Sequence, residues 1–181
     1  TENSKTGYTM DSKDYPKELE KYVTLKDGAK LLLRPVKPSD LSALLAFFYR
    51  LSPQSIYNRW LSVKKYLSED EASSYVNVDF SKDMAIYAFS EDSLLRGAIR
   101  TMGDKNGEST EFAIVIEDSW QKRGLGHEMM KYVIKIAEDK GYKRVYGEIF
   151  RENTIMLMVC KDLGFKTEDI DSDVVRAVLD L

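Results

Sequence analysis

The sequence predicts an α/β (α+β) domain in which helices flank a mixed central sheet of about six to seven strands. Short runs rich in apolar and β-branched residues, such as Glu111-Phe-Ala-Ile-Val-Ile116, read as strands, and segments of helical period lie between them. The clearest junction is at residues 120 to 127, Trp-Gln-Lys-Arg-Gly-Leu-Gly-His, where a strand pattern gives way to a helix pattern. There Leu125, Met129, Met130, Val133, Ile134 and Ala137 recur at helical spacing. The 181 residues, 43% of them apolar, suffice for one domain with a substantial core.

Residues 1 to 14 are polar and turn-forming, and are expected to be a disordered tail before a single domain over 15–181. Lys30 to Val36 follows the Asp27-Gly28 turn signal and reads as the first strand. Ser39-Asp40 opens a helix running through Arg50, and Ser52-Pro53 caps a second over Gln54 to Leu61. Ser68-Glu-Asp-Glu71 has the form of a capping box, so a third short helix starts there. Strands follow at Met84 to Phe89 and Leu94 to Thr101, and the turn signal Asp104-Lys-Asn-Gly107 precedes the strand at Glu111. After the glycine-loop helix, Gly141 stops the chain, and Arg144 to Phe150 is a strand. Asn153 opens a helix that ends at Gly164, and Phe165 to Thr167 and Val174 to Leu179 make two last strands.

Composition removes several classes of function. A formal charge of −3 lacks the basic footprint that nucleic-acid backbones select. No run approaches the roughly 18 apolar residues of a membrane span, so a soluble protein without a membrane partner is expected. The single cysteine, Cys160, forms no intrachain disulfide, which suits a reducing cytoplasm. With one His and one Cys, no metal site is expected.

The loop carries the chemistry. The first four N–H groups of a helix have no partner within it, and the peptide dipoles leave partial positive charge at that end, so the segment is suited to an anion. Gly124 and Gly126 allow close approach of backbone to ligand, Lys122 and Arg123 add charge, and phosphate is the natural guest. The nucleotide-triphosphate loop Gly-x-x-x-x-Gly-Lys-Ser/Thr is absent, and only two of the three dinucleotide glycines are in place.

Gln121-x-x-Gly124-x-Gly126 resembles the acyl-CoA pyrophosphate loop of the GNAT family of N-acetyltransferases, and Asn153 followed by Gly164-Phe165 resembles that family's second signature. The order of elements is also that of the acetyltransferase fold. More narrowly, Tyr15-Pro-Lys-Glu-Leu-Glu, Leu33-Arg-Pro-Val, Leu51-Ser-Pro-Gln-Ser-Ile-Tyr and Glu111-Phe-Ala-Ile-Val resemble the acetyltransferase domain of the Pat-type protein lysine acetyltransferases, over roughly residues 15 to 181. In many of those proteins the domain is joined to another; here it is read as standing alone.

The resemblance implies transfer of an acetyl group from acetyl-CoA, bound as co-substrate without metal, to an amine, most simply a protein lysine ε-amine, in a ternary complex. A lysine amine with a pKa of about 10.4 is only about 0.1% neutral near pH 7.5, so a base must take its proton. By position in the Pat-type pattern that base is Glu111, whose carboxyl burial pushes toward the working range; a solvated or ion-paired strand residue is the alternative. The resemblance also implies that a bulge splays this strand, so that backbone at Ile114, Val115 and Ile116 meets the pantetheine arm while Gln121, Lys122, Arg123, Gly124, Leu125, Gly126 and His127 surround the pyrophosphate. Asn153 is open to both cofactor contact and helix capping.

Cys160 stands where many relatives carry a tyrosine that protonates the departing thiolate, a departure shared with Pat-type domains. It reads as core, with an acetyl-cysteine route as the sharper alternative. His127 reads as a rim residue, the methionines as core filler, and Arg59, Lys64 and Lys65 as a solvated face. A small-molecule acceptor such as a polyamine or amino acid, or a non-catalytic acyl-CoA sensor, remains as an alternative reading. A monomer or weak homodimer is expected.

Overall fold

The computed structural model describes residues 14–181. The expected tail therefore lies outside the described residues, apart from Asp14. Eight strands form one sheet: β1 (Lys21–Thr24), β2 (Lys30–Pro35), β3 (Asp83–Ser90), β4 (Leu95–Gly103), β5 (Ser109–Ile116), β6 (Arg144–Phe150), β7 (Lys166–Asp169) and β8 (Val174–Asp180). Their spatial order is β1-β2-β3-β4-β5-β6-β8-β7, and every neighbouring pair is antiparallel except the parallel β5 and β6.

The strand beyond the expected six to seven is β1. Of its four residues only Val23 is buried, so it carries no alternation for a sequence reading to catch, and it is held by its register to β2. The five helices are α1 (Leu41–Arg50), α2 (Pro53–Trp60), α3 (Glu69–Val76), α4 (Leu125–Asp139) and α5 (Thr154–Asp162). The caps expected at Ser52 and Ser68 are in place: each hydroxyl accepts the N–H three residues on, from Ser55 and Glu71, at 3.1 Å.

Adjacent residues of β4 show which helices cover which face. A side chain at Gly97 would run into Ile116 on β5 and Met129 on α4 and touch Leu125, whereas Ala98 and Arg100 look toward Leu44, Phe47 and Phe48 of α1. Thus α4 lies on one face and α1 to α3 on the other. The α4 face buries Leu125, Met129, Met130, Val133, Ile136 and Ala137, a stripe of helical period. Each large side chain so removed from water contributes about 1.5–3 kcal/mol before entropy is charged against it.

One feature of the sheet creates the site. β5 pairs with β6 only at Ser109 with Arg144, Thr110 with Val145 and Glu111 with Tyr146. Beyond Glu111 the two strands part: β5 stays with β4 as far as Ile116, and β6 stays with β8 as far as Phe150. The result is a wedge open between two central strands. The register of β5 against β4 is continuous, so the expected bulge on β5 is not what opens it. The irregularity lies between Ala88 and Phe89, in the pairing of β3 with β4.

Candidate active site

The wedge continues into a cleft of about 1230 Å³, walled by Ile114, Val115, Ile116, Gln121, Lys122, Arg123, Gly124, Gly126, His127 and Asn153 together with residues of α2, α4 and α5. Backbone parity decides which strand groups face it. The Glu117 N–H donates to Arg96 C=O at 2.9 Å, extending the β4–β5 ladder, and alternate residues of an antiparallel strand turn their bonds the same way. Val115 therefore spends its backbone on β4, and of the three expected positions only Ile114 and Ile116 turn N–H and C=O into the wedge. Gln121 Nε2 donates to the Ile116 C=O at 2.9 Å.

At the end of the cleft the chain enters α4 through a strained turn. Gly124 has φ +91°, which only glycine adopts freely, and Lys122 has φ +61°. The first helical bond runs from the Glu128 N–H to the Gly124 C=O at 3.1 Å. Among the described residues the amides of residues 122 to 127 donate to no protein acceptor, so six N–H groups gather at a helix N-terminus with nothing to bind. At Gly126 an added Cβ would meet nothing within 4 Å, because that position faces the open cleft. Orphan amides beside an open glycine fit a phosphate-bearing ligand.

The turn is anchored from α2. Asp118 accepts from the Ser52 N–H at 2.9 Å, from the Ser52 hydroxyl at 2.6 Å and from the Ser55 hydroxyl at 3.0 Å, and these bonds hold its carboxyl below the usual range against the opposing effect of burial. Gln121 Nε2 also donates to Ser55 Oγ at 3.0 Å. At the end of β5, buried Glu117 joins Arg50, 2.6 Å away, to Arg96.

Glu111 is the last β5 residue paired to β6, so it sits at the fork of the wedge. Its side chain shares a sheet face with Ala113 and Val115 and looks toward the α1–α3 layer. Around it stand Tyr146 and Glu148 of β6 and Arg176 of β8, with Arg176 3.1 Å from Glu148. Burial, then the neighbouring Glu148 charge, push the Glu111 carboxyl above its ordinary range, while Arg176, Arg59 and Tyr146 pull the other way. A half-buried carboxylate of raised pKa at the fork is a stronger base than an ordinary carboxylate.

Comparison with known proteins bears on this geometry directly. Residues 30–166 match the acetyltransferase (GNAT) domain family. An acetyltransferase of Pseudomonas aeruginosa is 30% identical over 145 residues, covering 78% of each chain. The chain belongs to the GNAT acetyltransferase family. The acetyltransferase Pat of Mycolicibacterium smegmatis is 27% identical over 169 residues, which are 88% of this chain and 48% of that protein, so the chain spans about half of Pat. Among solved structures, the GNAT domain of Streptomyces lividans PAT superposes with a TM-score of 0.86 at 24% identity, covering 93% of this chain and all of that one. A spermidine N-acetyltransferase of Vibrio cholerae, solved with CoA and spermine, superposes with a TM-score of 0.68 at 18% identity over 82% of this chain and 94% of that one. These two likenesses show the fold.

Within this GNAT domain the residues expected around a cofactor fall into distinct roles. Gly124, Gly126, Lys122 and His127 come together at the cleft with their amides open. Leu125 does not: its side chain is fully buried in the core, and only its amide reaches the site. Arg123 is half-committed, its Nε 2.7 Å from Asp27 and its guanidinium 4.0 Å over the Trp120 ring. His127 lies 3.0 Å from Asp162 on the rim. Asn153 Oδ1 accepts the Met156 N–H at 3.3 Å, so the cap is present while the residue also walls the cleft.

Cys160 is buried at 1% exposure, away from the cleft, and burial pushes its thiol up to about 12. It is core, as its helical position suggested. Sequence reasoning misjudged Arg59, which turns into the α1–α3 layer rather than forming a solvated face with Lys64 and Lys65. It also missed Tyr146, Glu148 and Arg176. The alternation in Tyr146-Gly-Glu148 was a usable sign, since residues two apart share a face. Among the described residues no group of three or more His, Cys, Asp or Glu is placed to hold a metal, and no helix is long and apolar enough to cross a membrane.

Proposed function

We propose that the domain transfers the acetyl group of acetyl-CoA to an amine, a protein lysine ε-amine, by direct attack within a ternary complex. The observation that carries the reading is the fork itself, which sets orphan helix amides at one end of a wedge and a carboxylate of raised pKa at its apex. The amides of residues 122 to 127, with Lys122 and Arg123, hold the pyrophosphate, and the Ile114 N–H and C=O and the Ile116 N–H receive the pantetheine amides as an added strand would. Acetyl-CoA supplies an activated thioester carbonyl.

The protein's residues do the rest. Glu111 takes one proton of the incoming ammonium, directly or through a water; the neutral nitrogen then bonds to the acetyl carbon, the carbon–sulfur bond breaks with coenzyme A leaving as a thiolate, and the nitrogen's second proton passes to that thiolate or to water. An open β5 N–H stabilises the charge gathering on the acetyl oxygen. Glu148, paired with Arg176, places a second carboxylate beside Glu111 at the fork. The resemblance of the sequence to the Pat-type protein lysine acetyltransferases supports a protein lysine as acceptor.

Thiol release from acetyl-CoA, measured with lysine-containing proteins, polyamines, free amino acids and no acceptor, tests the reading. Release is expected with lysine proteins and not with acetyl-CoA alone. Release confined to polyamines would overturn the protein acceptor, and binding of acetyl-CoA without release to any amine would make the domain a sensor.

A further inference from the structure

On the α1–α3 side of the sheet, meeting the cofactor cleft at Val115, lies a cavity of about 40 Å³ walled among others by Arg59, Trp60, Tyr75, Tyr87, Arg100 and Ala113. Two guanidinium groups meet in it: Arg100 has Asp83 as an ion-pair partner, while Arg59 has carboxylates only at a distance, in Glu71 and Glu111. Arg59 makes no hydrogen bond or ion pair with any described residue; its guanidinium lies 4.9 Å over the Trp60 ring. Arg100 rests 5.6 Å over the Tyr75 ring and lies 3.5 Å from Asp83, yet its Nε is buried with no acceptor. Glu71, a carboxylate near Arg59, is engaged elsewhere: Lys64 is 2.7 Å from it, and the Tyr75 hydroxyl donates to it at 3.1 Å. Buried cations are held without a counter-charge only at a cost, and a buried donor with no acceptor adds to it.

The place of the cavity points to what completes it. Ala113 in its wall is two residues from Glu111 on the same face of β5, about 7 Å along the strand. A ligand with its amine at Glu111 would therefore set a second group in the cavity. The volume admits a group the size of a carboxylate, and a guanidinium fork matches that geometry. A polycation would instead meet two like charges.

Resting on the acetyltransferase reading above, we propose that this cavity is a carboxylate subsite of the acceptor: the amine that is acetylated carries a carboxylate about one pleat away, bound by Arg59 and Arg100. In a protein substrate it is an acidic side chain close to the acceptor lysine; in a free amino acid it would be the α-carboxylate. Both present the same chemistry, and the assay separates them.

The test uses acceptor pairs that differ only in carboxylate against carboxamide: peptides with lysine beside glutamate or glutamine, and lysine against lysinamide. With the wild-type domain the carboxylate member of the peptide pair should have a KM lower by about tenfold at similar kcat. Arg59→Met should bring the pair within about twofold, and Arg59→Lys should keep part of the preference. A preference seen only in the free lysine pair would assign the subsite to an amino-acid acceptor. Equal KM values in the wild type, or a preference that survives Arg59→Met, would overturn the proposal. If no acceptor releases thiol, the transferase reading fails, but the subsite is still testable through Trp60 fluorescence titrated with 4-acetamidobutyrate and with its amide. A saturable change with the acid alone, lost in Arg59→Met, supports the subsite; no change in the wild type, or an undiminished one in the variant, rejects it.

Discussion

Glu111 shows what one residue reveals when its energetics are followed to their sign. Its folded carboxyl titrates above the ordinary value because burial and Glu148 disfavour the charged form. The folded state therefore holds the proton more tightly than the unfolded chain does, and the stability this brings is present at low pH and lost as pH rises through the folded pKa. At neutral pH the carboxylate is a liability for folding, so Glu111→Gln is expected to leave thermal stability unchanged or slightly raised. A clear fall in melting temperature would make Glu111 a structural residue. Cys160 is the opposite case, a group whose burial silences it. With the thiol pushed up to about 12, acetyl-CoA alone should leave Cys160 unlabelled by mass spectrometry, whereas an acetylated cysteine would revive the two-step route.

At the scale of elements, the strand–loop–helix unit of β5 and α4 separates binding from stability. Gly126 faces open cleft, so Gly126→Val should lower acetyl-CoA affinity by at least about tenfold while moving the melting temperature little. Gly147 is the contrast. An added Cβ there would sit 2.6 Å from the ring of Phe112, which packs edge-on against Phe165, so Gly147→Ala should cost about 1–3 kcal/mol, or several degrees in the melting temperature. Calorimetry and a binding titration on the two variants check the split, and equal effects on both readouts would contradict it. The loop itself was legible because glycine spacing, a preceding apolar strand and a following helical stripe are all local signals. Parity was not: that Val115 bonds to β4 while Ile114 and Ile116 face the wedge follows from a register between strands, which no single segment encodes.

Across the whole molecule, the wedge follows from topology. β5, α4 and β6 form the sheet's one parallel unit, and the crossover helix leaves the carboxyl end of β5 where that strand parts from β6. Ligands of α/β sheets gather at such points. The order of elements was readable from sequence, and with it the fold class and the glycine loop between β5 and α4. Beyond Glu111, named through the family resemblance, the residues around the fork were not, because Glu148, Arg176, Arg59 and Arg100 come from four further elements and converge only through long-range packing. Arg59 in particular reads as surface in any local window, and only the layering of α1 to α3 over the sheet turns it inward.

Turnover of Glu111→Gln at saturating acetyl-CoA, with cofactor affinity measured on the same protein, tests this arrangement most directly. The fork requires a loss of about 10²-fold or more in kcat with affinity for acetyl-CoA essentially unchanged. Near-normal turnover would contradict it.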